Sequence, residues 1–373
     1  MVIVKESAPH LRRKETVSSM MLDVLIALAP TLIFAFVVYP VRTAIFWSIS
    51  LAVMYLCEFV NIGLRNMMPA DGQKHSFKER FIYAYKGKID KSNLLATAIT
   101  ATIFTLVLPA GAPIYAVVLG ALFGIVFGKL VFGGLGQNIF NPAVVGMLFA
   151  KLCFGSQYAT ATSNWFVNIP DAVAGATPLG YINGGMFSGY SQYSLLDMFL
   201  GRIPGTLGEV YKITILAGLV YLLIKRAVDF RIVVSYLGTC FILALVAGLS
   251  LHSLNGDINP LTFTIYNILS GGLLFGAVFM LTDPVTSPIN SPSRIMYGMI
   301  AAVVTIFIRF FAALPEGVGF SILFANMIAA VLDHYEWSNP RYTWKNILAM
   351  SLIVVISSLT VFLVMRFGGV YNG

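Results

Sequence analysis

The sequence predicts an all-α polytopic membrane protein, and three observations lead to this fold class. Of the 373 residues, 58% are hydrophobic and only 11% are charged, whereas a soluble domain carries about 25% charged residues. The mean hydropathy is +0.83. The apolar residues are also gathered into runs that approach the roughly 20 residues a helix needs to cross a bilayer. We therefore expect about ten or eleven transmembrane helices.

The apolar runs follow one another along the whole chain. Eleven approach spanning length: 22–39, 43–63, 93–109, 113–131, 139–154, 210–224, 232–250, 262–282, 295–313, 318–333 and 346–365. The runs at 93–109, 139–154 and 318–333 are short, so half-helices or tilted pairs are alternatives to full spans there. The first 21 residues are polar, and we expect no cleavable signal peptide.

A polar segment, residues 155–208, separates the first five runs from the other six. The predicted parts are a cytoplasmic N-terminus (1–21), a first membrane repeat (22–154), an extracytoplasmic loop (155–208), a second membrane repeat (209–333), and a cytoplasmic loop with an extra C-terminal helix (334–373). Weak internal similarity suggests the repeats. The run ending at Pro109 compares with the run ending at Asp283-Pro284, and residues 132–138 compare with 314–319. Five spans per repeat would invert the second copy, as in many transporters.

The formal charge of +8 follows from topology and does not indicate nucleic-acid binding. Seven Lys and Arg residues lie between Arg65 and Lys91, whereas the 155–208 loop holds only Arg202. Short loops rich in Lys and Arg stay in the cytoplasm. The bias therefore predicts a multi-pass protein embedded in membrane lipid, with the 155–208 loop outside the cytoplasm and no nucleic-acid partner.

Metal ligands are sparse. Cys57, Cys153 and Cys240 lie far apart in apolar runs and form no Cys-x-x-Cys pair, so this chain is not expected to hold an iron–sulfur cluster alone. The four histidines fall in loops or termini and do not offer the paired helical ligands of a membrane haem. No metal site is predicted, and any electron on this chain is expected to travel on an organic cofactor.

Three of the charged residues within the apolar runs, Asp23, Glu58 and Arg309, are considered for a role inside the bilayer. A charge at the bilayer centre costs about 2.5–3.5 kcal/mol on insertion scales. For Asp23 and Arg309 the favoured interpretation is snorkelling of the charge toward the interface. For Glu58 two interpretations stay open, snorkelling and a position facing a neighbouring helix, a partner subunit or a wet cavity. Glu58 is the candidate for an ion path.

One threonine in the polar segment has a defined setting. Thr177 precedes Pro178, which favours an extended conformation at Thr177. Gly175 and Ala176 carry almost no side chain, so another molecule can approach the backbone closely, and Asp171 lies six positions upstream. These residues predict a presented hydroxyl that accepts a modification, with an ordinary loop turn as the alternative.

The order Asp171 to Thr177 resembles the flavinylation motif of redox membrane complexes. Ala174 departs from it, because the motif usually has Ser or Thr there. Three further stretches occur in the same order as in one family: Phe-Gly-Gly-Leu-Gly-Gln-Asn-Ile-Phe-Asn-Pro-Ala (132–143), Gly-Ala-Val-Phe-Met-Leu-Thr-Asp-Pro-Val-Thr-Ser-Pro (276–288) and Pro-Glu-Gly-Val-Gly-Phe-Ser-Ile-Leu (315–323).

Together these motifs resemble the D subunits of Rnf electron-transport complexes and the related B subunits of sodium-translocating NADH:quinone oxidoreductases, over about residues 7–340. The short N-terminal extension and the Pro178-Leu179 continuation favour the Rnf member. The run at 346–365 departs from many relatives.

The resemblance implies a ten-helix core of urea-channel-like inverted repeats, with FMN esterified through its phosphate to Thr177 beside Asp171, Gly175 and Ala176. It also implies electron relay between ferredoxin and NAD, coupled to Na⁺ or H⁺ transport in a bacterial or archaeal cell membrane. The implied partners are the other Rnf subunits, including a second FMN-bearing subunit and iron–sulfur subunits. Riboflavin is a further implied cofactor.

Three alternatives stay open. The chain could be a quinone-reductase B-type subunit, or a structural anchor whose Thr177 is unmodified. It could also be a solute channel or transporter without a redox role, for which the triplet Asn141-Pro142-Ala143 offers a hint. A tight turn followed by a helix is the simpler interpretation of that triplet.

Overall fold

A computed structural model describes residues 16–66, 77–86, 90–155, 178–179, 193–254, 258–312, 316–334 and 342–367. Every regular element within these ranges is helical, and the one extended pairing there is an isolated bridge between Pro109 and Thr206. The prediction of an all-α polytopic membrane protein is confirmed.

The helices that precede the polar segment differ in length and include one π-helix. They are α1 (Val17–Val38), α2 (Pro40–Asn66), α3 (Phe77–Tyr85), α4 (Lys91–Leu106), α5 (Ile114–Ile125), continued by the π-helix π1 (Val126–Leu130), and α6 (Pro142–Cys153). A short helix, α7 (Leu195–Leu200), follows within the polar segment.

The helices of the second part include one that is broken and continued by a π-helix. They are α8 (Lys212–Lys225), α9 (Phe230–Leu254), α10 (Pro260–Leu269), α11 (Leu273–Phe275) continued by π2 (Gly276–Met280), α12 (Ser291–Phe311), α13 (Val318–Leu332) and α14 (Trp344–Phe367).

Each of the eleven predicted runs coincides with a helix or a broken helix, but these helices differ in length. Among the described residues, five helices are long and apolar enough to cross a membrane, or six if the bent pair α10–α11 with π2 is one span. The apolar helices Ile114–Leu130, Pro142–Cys153 and Val318–Leu332 are shorter. This count rests on length and composition alone, so the expected ten or eleven spans stay a prediction. Apolar composition alone does not distinguish a full span from a short helix buried among others.

Asparagine followed by proline starts several of the inner helices. Asn141 accepts a bond from the Ala143 N–H at 3.1 Å and caps α6. Asn259 caps α10 in the same way. A side-chain oxygen at this position satisfies an otherwise unpaired N–H, and proline fits the first helical turn because its missing N–H is not needed there. The simpler interpretation of the Asn141 triplet is confirmed.

Small residues let α5 and α6 pack with their backbones almost touching. Gly120, Gly124 and Gly128 recur every four residues along α5 and π1 and face α6. A Cβ atom on Gly124 would lie 2.7 Å from the Pro142 carbonyl oxygen and 2.9 Å from the Gly146 Cα. Membrane helices use such spacing because lipid offers no hydrophobic force to drive helices together.

One series of elements, a π-helix, a turn and a helix, occurs in both parts of the chain. The sequence comparison did not pair the corresponding residues. In both, a π-helix is followed by a turn and then by a helix that starts at an Asn with Pro in its first turn, Asn141 for α6 and Asn290 for α12. The counterpart of residues 132–138 is therefore the 281–290 turn, not 314–319. The Asn141 amide donates to the Met280 carbonyl of π2 at 3.3 Å, which joins the two arrangements.

Candidate functional site

A break between α10 and α11 forms the most charged part of the described interior. The chain bends by 62° between Leu269 and Leu273, and Gly271 adopts a φ of +59° at the bend. Left-handed backbone of this kind favours glycine. A helix break leaves carbonyl groups on one side and N–H groups on the other without intrahelical partners, so the buried break requires other groups to satisfy them.

Two buried cations satisfy the carbonyl side of the break. The Arg309 guanidinium donates to the carbonyls of Asn267 at 2.7 Å and Ser270 at 3.1 Å. The Lys212 ammonium donates to the carbonyls of Gly271 at 2.9 Å and Glu209 at 2.5 Å. Arg309 is 1% exposed and Lys212 is fully buried. Cations placed at a helix C-terminus also oppose the negative end of its dipole.

Two carboxylates face the N–H side. Glu316 accepts a bond from the Gly272 N–H at 2.6 Å. A Cβ atom on Gly272 would clash with a Glu209 carboxylate oxygen and would lie 3.0 Å from a Glu316 oxygen, so both acids approach the same glycine. Lys151 lies 3.8 Å from the second oxygen of Glu316.

The pKa values of the two acids move in opposite directions. Burial and the nearby charge of Glu316 raise the pKa of Glu209 to about 8. Burial also raises the pKa of Glu316, but Lys151 and the Gly272 N–H oppose this and hold it below its ordinary value. The break therefore gathers three basic side chains, Lys151, Lys212 and Arg309, around two carboxyl groups whose pKa values differ. We call these five side chains the charged break.

Leu179 places the polar segment against the charged break. Leu179 is 4% exposed, and its Cδ1 would lie 2.7 Å from a Cβ atom on Gly271. Thr177, Asp171, Gly175 and Ala176 lie outside the described residues.

A short segment, residues 206–209, attaches the acidic side of the charged break to the first part of the chain. The N–H groups of Leu207 and Gly208 donate to the carbonyls of Leu108 at 3.0 Å and Leu106 at 2.7 Å. Glu209 follows directly, and its own N–H donates to the Thr206 hydroxyl at 3.3 Å. Glu209 and Lys212 are thus held in place by the end of α4.

Snorkelling was the wrong interpretation of Arg309, because its guanidinium is buried and bonded to the helix break. The sequence analysis also missed Lys151, Glu209, Lys212 and Glu316, which lie at helix ends or in loops where charges are ordinary. The sequence feature that indicated the helix break was the pair Gly271-Gly272 within an apolar run, since two adjacent glycines favour a break in a helix.

Glu58 forms a separate polar site with a residue of the π-helix π1. Its carboxylate lies 2.6 Å from the Lys129 ammonium, and the side chains are 4% and 3% exposed. The interpretation that Glu58 faces a neighbouring helix is confirmed. Asp23 instead accepts a bond from the Tyr221 hydroxyl at 2.8 Å.

Comparison with known proteins identifies the family. Residues 4–341 match the model of the NQR2, RnfD, RnfE family. The chain belongs to this family. It is 30% identical over 331 residues to the D subunit of the Na⁺-translocating ferredoxin:NAD⁺ oxidoreductase complex of Acetobacterium woodii, covering 88% of this chain and 92% of the relative.

Relatives of the quinone-reductase type also match. The chain is 38% identical over 241 residues, 64% of its length, to the B subunit of the Na⁺-translocating NADH-quinone reductase of Chromohalobacter salexigens. It is 32% identical over 288 residues, 76% of its length, to the corresponding protein of Pseudomonas aeruginosa. The match spans only 57% and 66% of these two relatives. The family members named here are subunits of oxidoreductase complexes of the membrane.

Proposed function

We propose that this chain is the D-type membrane subunit of an ion-translocating ferredoxin:NAD oxidoreductase (Rnf) complex. In this proposal it carries FMN esterified to Thr177 and relays electrons coupled to Na⁺ or H⁺ transport. Its partners are the other subunits of that complex, including a second FMN-bearing subunit and iron–sulfur subunits. The 155–208 loop faces the outside of a bacterial or archaeal cell membrane.

The flavin assignment rests mainly on the contact between buried Leu179 and the charged break. Leu179 follows Thr177 by two residues in the chain, so its contact with the break supports an ester-linked phosphate close to the three basic side chains, Lys151, Lys212 and Arg309. A phosphodiester keeps one negative charge, and the surplus positive charge matches it. The Nε of Arg309 is buried and has no hydrogen-bond partner, so the cluster retains an unsatisfied donor. The residues present therefore fit an anionic cofactor.

Each part of the site has a task in this proposal. Arg309 and Lys212 hold the helix break and provide positive charge on the phosphate side. Glu316 fixes the start of α11 through Gly272. Leu179 holds the chain that follows the modified threonine against the break, and Asp171, Gly175 and Ala176 belong to the same sequence motif as the acceptor. When bound, FMN supplies one- and two-electron chemistry that no side chain of this protein provides.

A covalent bond has a physical advantage for a cofactor on an outward-facing loop. A tether keeps the flavin at an effective concentration that reaches the millimolar range for short connections.

Riboflavin, the second flavin implied by the resemblance, stays a prediction. The cavity beside Lys129 measures ≈ 70 Å³, which is below the roughly 300–1,000 Å³ usual for organic ligands. Riboflavin is therefore not assigned to that cavity.

The B subunit of a quinone reductase is the second candidate, favoured by the 38% identity to the Chromohalobacter protein. The match to 92% of the Acetobacterium protein favours the Rnf assignment. Membranes of the native host distinguish them. Loss of ferredoxin-dependent NAD reduction on deletion of the gene is the expected result, and loss of NADH-dependent quinone reduction would support the second candidate.

The flavin assignment is tested by replacing its acceptor. Thr177→Val removes the hydroxyl but keeps the shape of the side chain, so fluorescence of the denatured protein band under ultraviolet light should disappear. Thr162→Val, in the same loop, is the matched control and should keep the fluorescence. A fluorescent Thr177→Val band would overturn the assignment. Absence of fluorescence from the wild type, produced with its flavin transferase, would favour a solute channel or a structural anchor.

A further inference from the structure

Helix α3 has no task in the flavin chemistry, although it is held firmly in place. It packs against the last turns of α2. The Tyr85 ring stacks on the Phe59 ring with a centroid distance of 4.1 Å, and the Tyr85 hydroxyl donates to the Phe59 carbonyl at 3.2 Å. Gly63 permits this approach, because a Cβ atom there would clash with the Tyr85 hydroxyl oxygen. α3 is therefore fixed beside the end of α2.

That end of α2 lies at the surface of the bilayer. Arg42 and Arg65 stand near the two ends of the helix, about 35 Å apart at 1.5 Å per residue. The hydrocarbon core of a bilayer is about 30 Å thick, so both arginines can reach the headgroup layers beyond that core. The contact between Gly63 and Tyr85 then lies where the hydrocarbon meets the headgroups.

The exposed face of α3 combines apolar and charged side chains. Ile82 is 58% exposed and Tyr83 is 49% exposed. Together with Glu79 and Lys86 they line an open cavity of ≈ 320 Å³, because residues at these spacings share one face of a helix. Exposed apolar residues beside tyrosine and lysine are typical of a helix that lies in the interface of a membrane.

The segment that contains α3 carries a surplus of positive charge. Residues 65–91 include seven Lys and Arg residues against three Asp and Glu residues. Within α3, the Nε of Arg80 is buried and has no hydrogen-bond partner among the residues that the structure describes. A basic cluster at the level of the headgroups attracts anionic lipids.

We propose that α3 binds an anionic phospholipid. Arg80 and Lys86 hold its phosphate group, while Ile82 and Tyr83 contact the upper part of its acyl chains. The lipid belongs to the leaflet beside residues 65–91, which is the cytoplasmic one in the proposed topology. The site is independent of the flavin.

The depth of α3 favours a lipid over an acidic protein as the occupant. On the last turns of α2, Val60 is 48% exposed and Leu64 is 73% exposed. These two residues lie four apart, on one face of the helix, and they require an apolar environment. A phospholipid whose chains cover them places its phosphate near the level of Arg65, beside the basic segment.

The test compares an anionic lipid with a neutral one that has the same acyl chains. Full-length protein is purified in detergent, and equal amounts of phosphatidylglycerol and phosphatidylcholine are added. Native mass spectrometry gives the ratio of the two lipids retained on the protein. The test variant is Arg80→Gln with Lys86→Gln. The matched control is Lys225→Gln with Arg226→Gln, which removes two exposed basic side chains from the end of α8.

The wild type should retain phosphatidylglycerol in preference to phosphatidylcholine. Each basic side chain removed from beside the lipid should lower that preference roughly fivefold, so the α3 variant should lose most of it, while the control stays within about twofold of the wild type. Ile82→Asn should reduce retention of both lipids and leave their ratio unchanged, because the acyl chains are common to both.

Three results would overturn the proposal. Equal loss of the preference in the α3 variant and the control would show that total charge, and not α3, selects the lipid. Displacement of the retained lipid by inorganic phosphate would identify a site for free phosphate. A wild type without lipid preference, whose α3 variant loses partner subunits on purification from the native host, would identify α3 as a protein-docking face.

Folding and flavin attachment are measured on the same samples. Lys86→Gln alone changes an exposed side chain and should lower the preference roughly fivefold, so the test stays decisive if the double variant does not fold. Flavin fluorescence should be equal in all variants. Its absence throughout would reject the flavin assignment, whereas an unchanged lipid ratio with fluorescence intact would reject the lipid site alone.

Discussion

Replacing Arg309 with methionine should destabilise the protein more than any change of an exposed arginine. Methionine fills much of the volume but donates no hydrogen bond. The carbonyls of Asn267 and Ser270 lose their donors at 2.7 and 3.1 Å, and each unsatisfied buried group costs about 1–3 kcal/mol. The Glu316 charge also loses a nearby cation. The expected loss is about 3–5 kcal/mol, the range found when one partner of a buried charged network is removed.

That loss can be measured as a shift in thermal unfolding. Roughly 2 °C per kcal/mol is the appropriate conversion for a chain of this length, so the midpoint of Arg309→Met should fall by about 6–10 °C. Unfolding of membrane proteins in detergent is often irreversible, so all variants are compared at one scan rate. Arg309→Lys keeps the charge but not the bidentate donor geometry of the guanidinium. Its unfolding midpoint should fall by about half as much as that of Arg309→Met.

The control for this measurement is Arg42→Met, since Arg42 is exposed on α2. Its midpoint should change by less than about 1 °C. If Arg309→Met unfolds within about 1 °C of Arg42→Met, the helix break is not held by Arg309, and the electrostatic description of the charged break is wrong.

Four further results are expected. Gly124→Ala should destabilise the α5–α6 contact by about 1–3 kcal/mol in the same assay, because a Cβ atom would lie 2.7 Å from a backbone oxygen. Glu209 has a raised pKa, so its contribution to stability should be fully present below about pH 4.5 and be lost as the pH rises to about 8; Glu209→Gln should abolish that component, and an unchanged pH profile would contradict the assignment. Ala174→Ser should increase the fraction of flavinylated protein, and equal fractions would show that alanine is tolerated. Single cysteines at Ser163 and Lys78, in a background without the native three, should react oppositely with an impermeant thiol reagent; labelling of the Lys78 position from outside would reverse the topology.

The helix positions were predictable because each depends on a local property. Apolar runs locate the helices, and Asn before Pro locates the start of α6. The lengths of the individual helices, and the break within one of them, were not predictable in this way. The broken helix α10–α11 and the short helices α6 and α13 are as apolar as the longer helices, so apolar composition does not reveal their length.

The charged break could not be predicted because its residues come from three distant regions of the chain. Lys151, Glu209, Lys212, Arg309 and Glu316 each fall near the end of a run, where charges usually meet water. Their convergence follows from packing around a helix break, which only the folded chain reveals. Glu58 was easier to single out, since it lies within a run, but its partner Lys129 lies where a basic residue at a helix end is ordinary.

The measurement that tests the central claim most directly is the intact mass of the full-length protein, produced with its flavin transferase and then denatured. The wild type should carry the mass of one FMN less one water, and fragmentation should place the addition on Thr177. Thr177→Val should have the mass of the unmodified chain, while Thr162→Val keeps the addition. An unmodified wild type, or an addition that persists in Thr177→Val, would contradict the assignment of a flavin to this threonine.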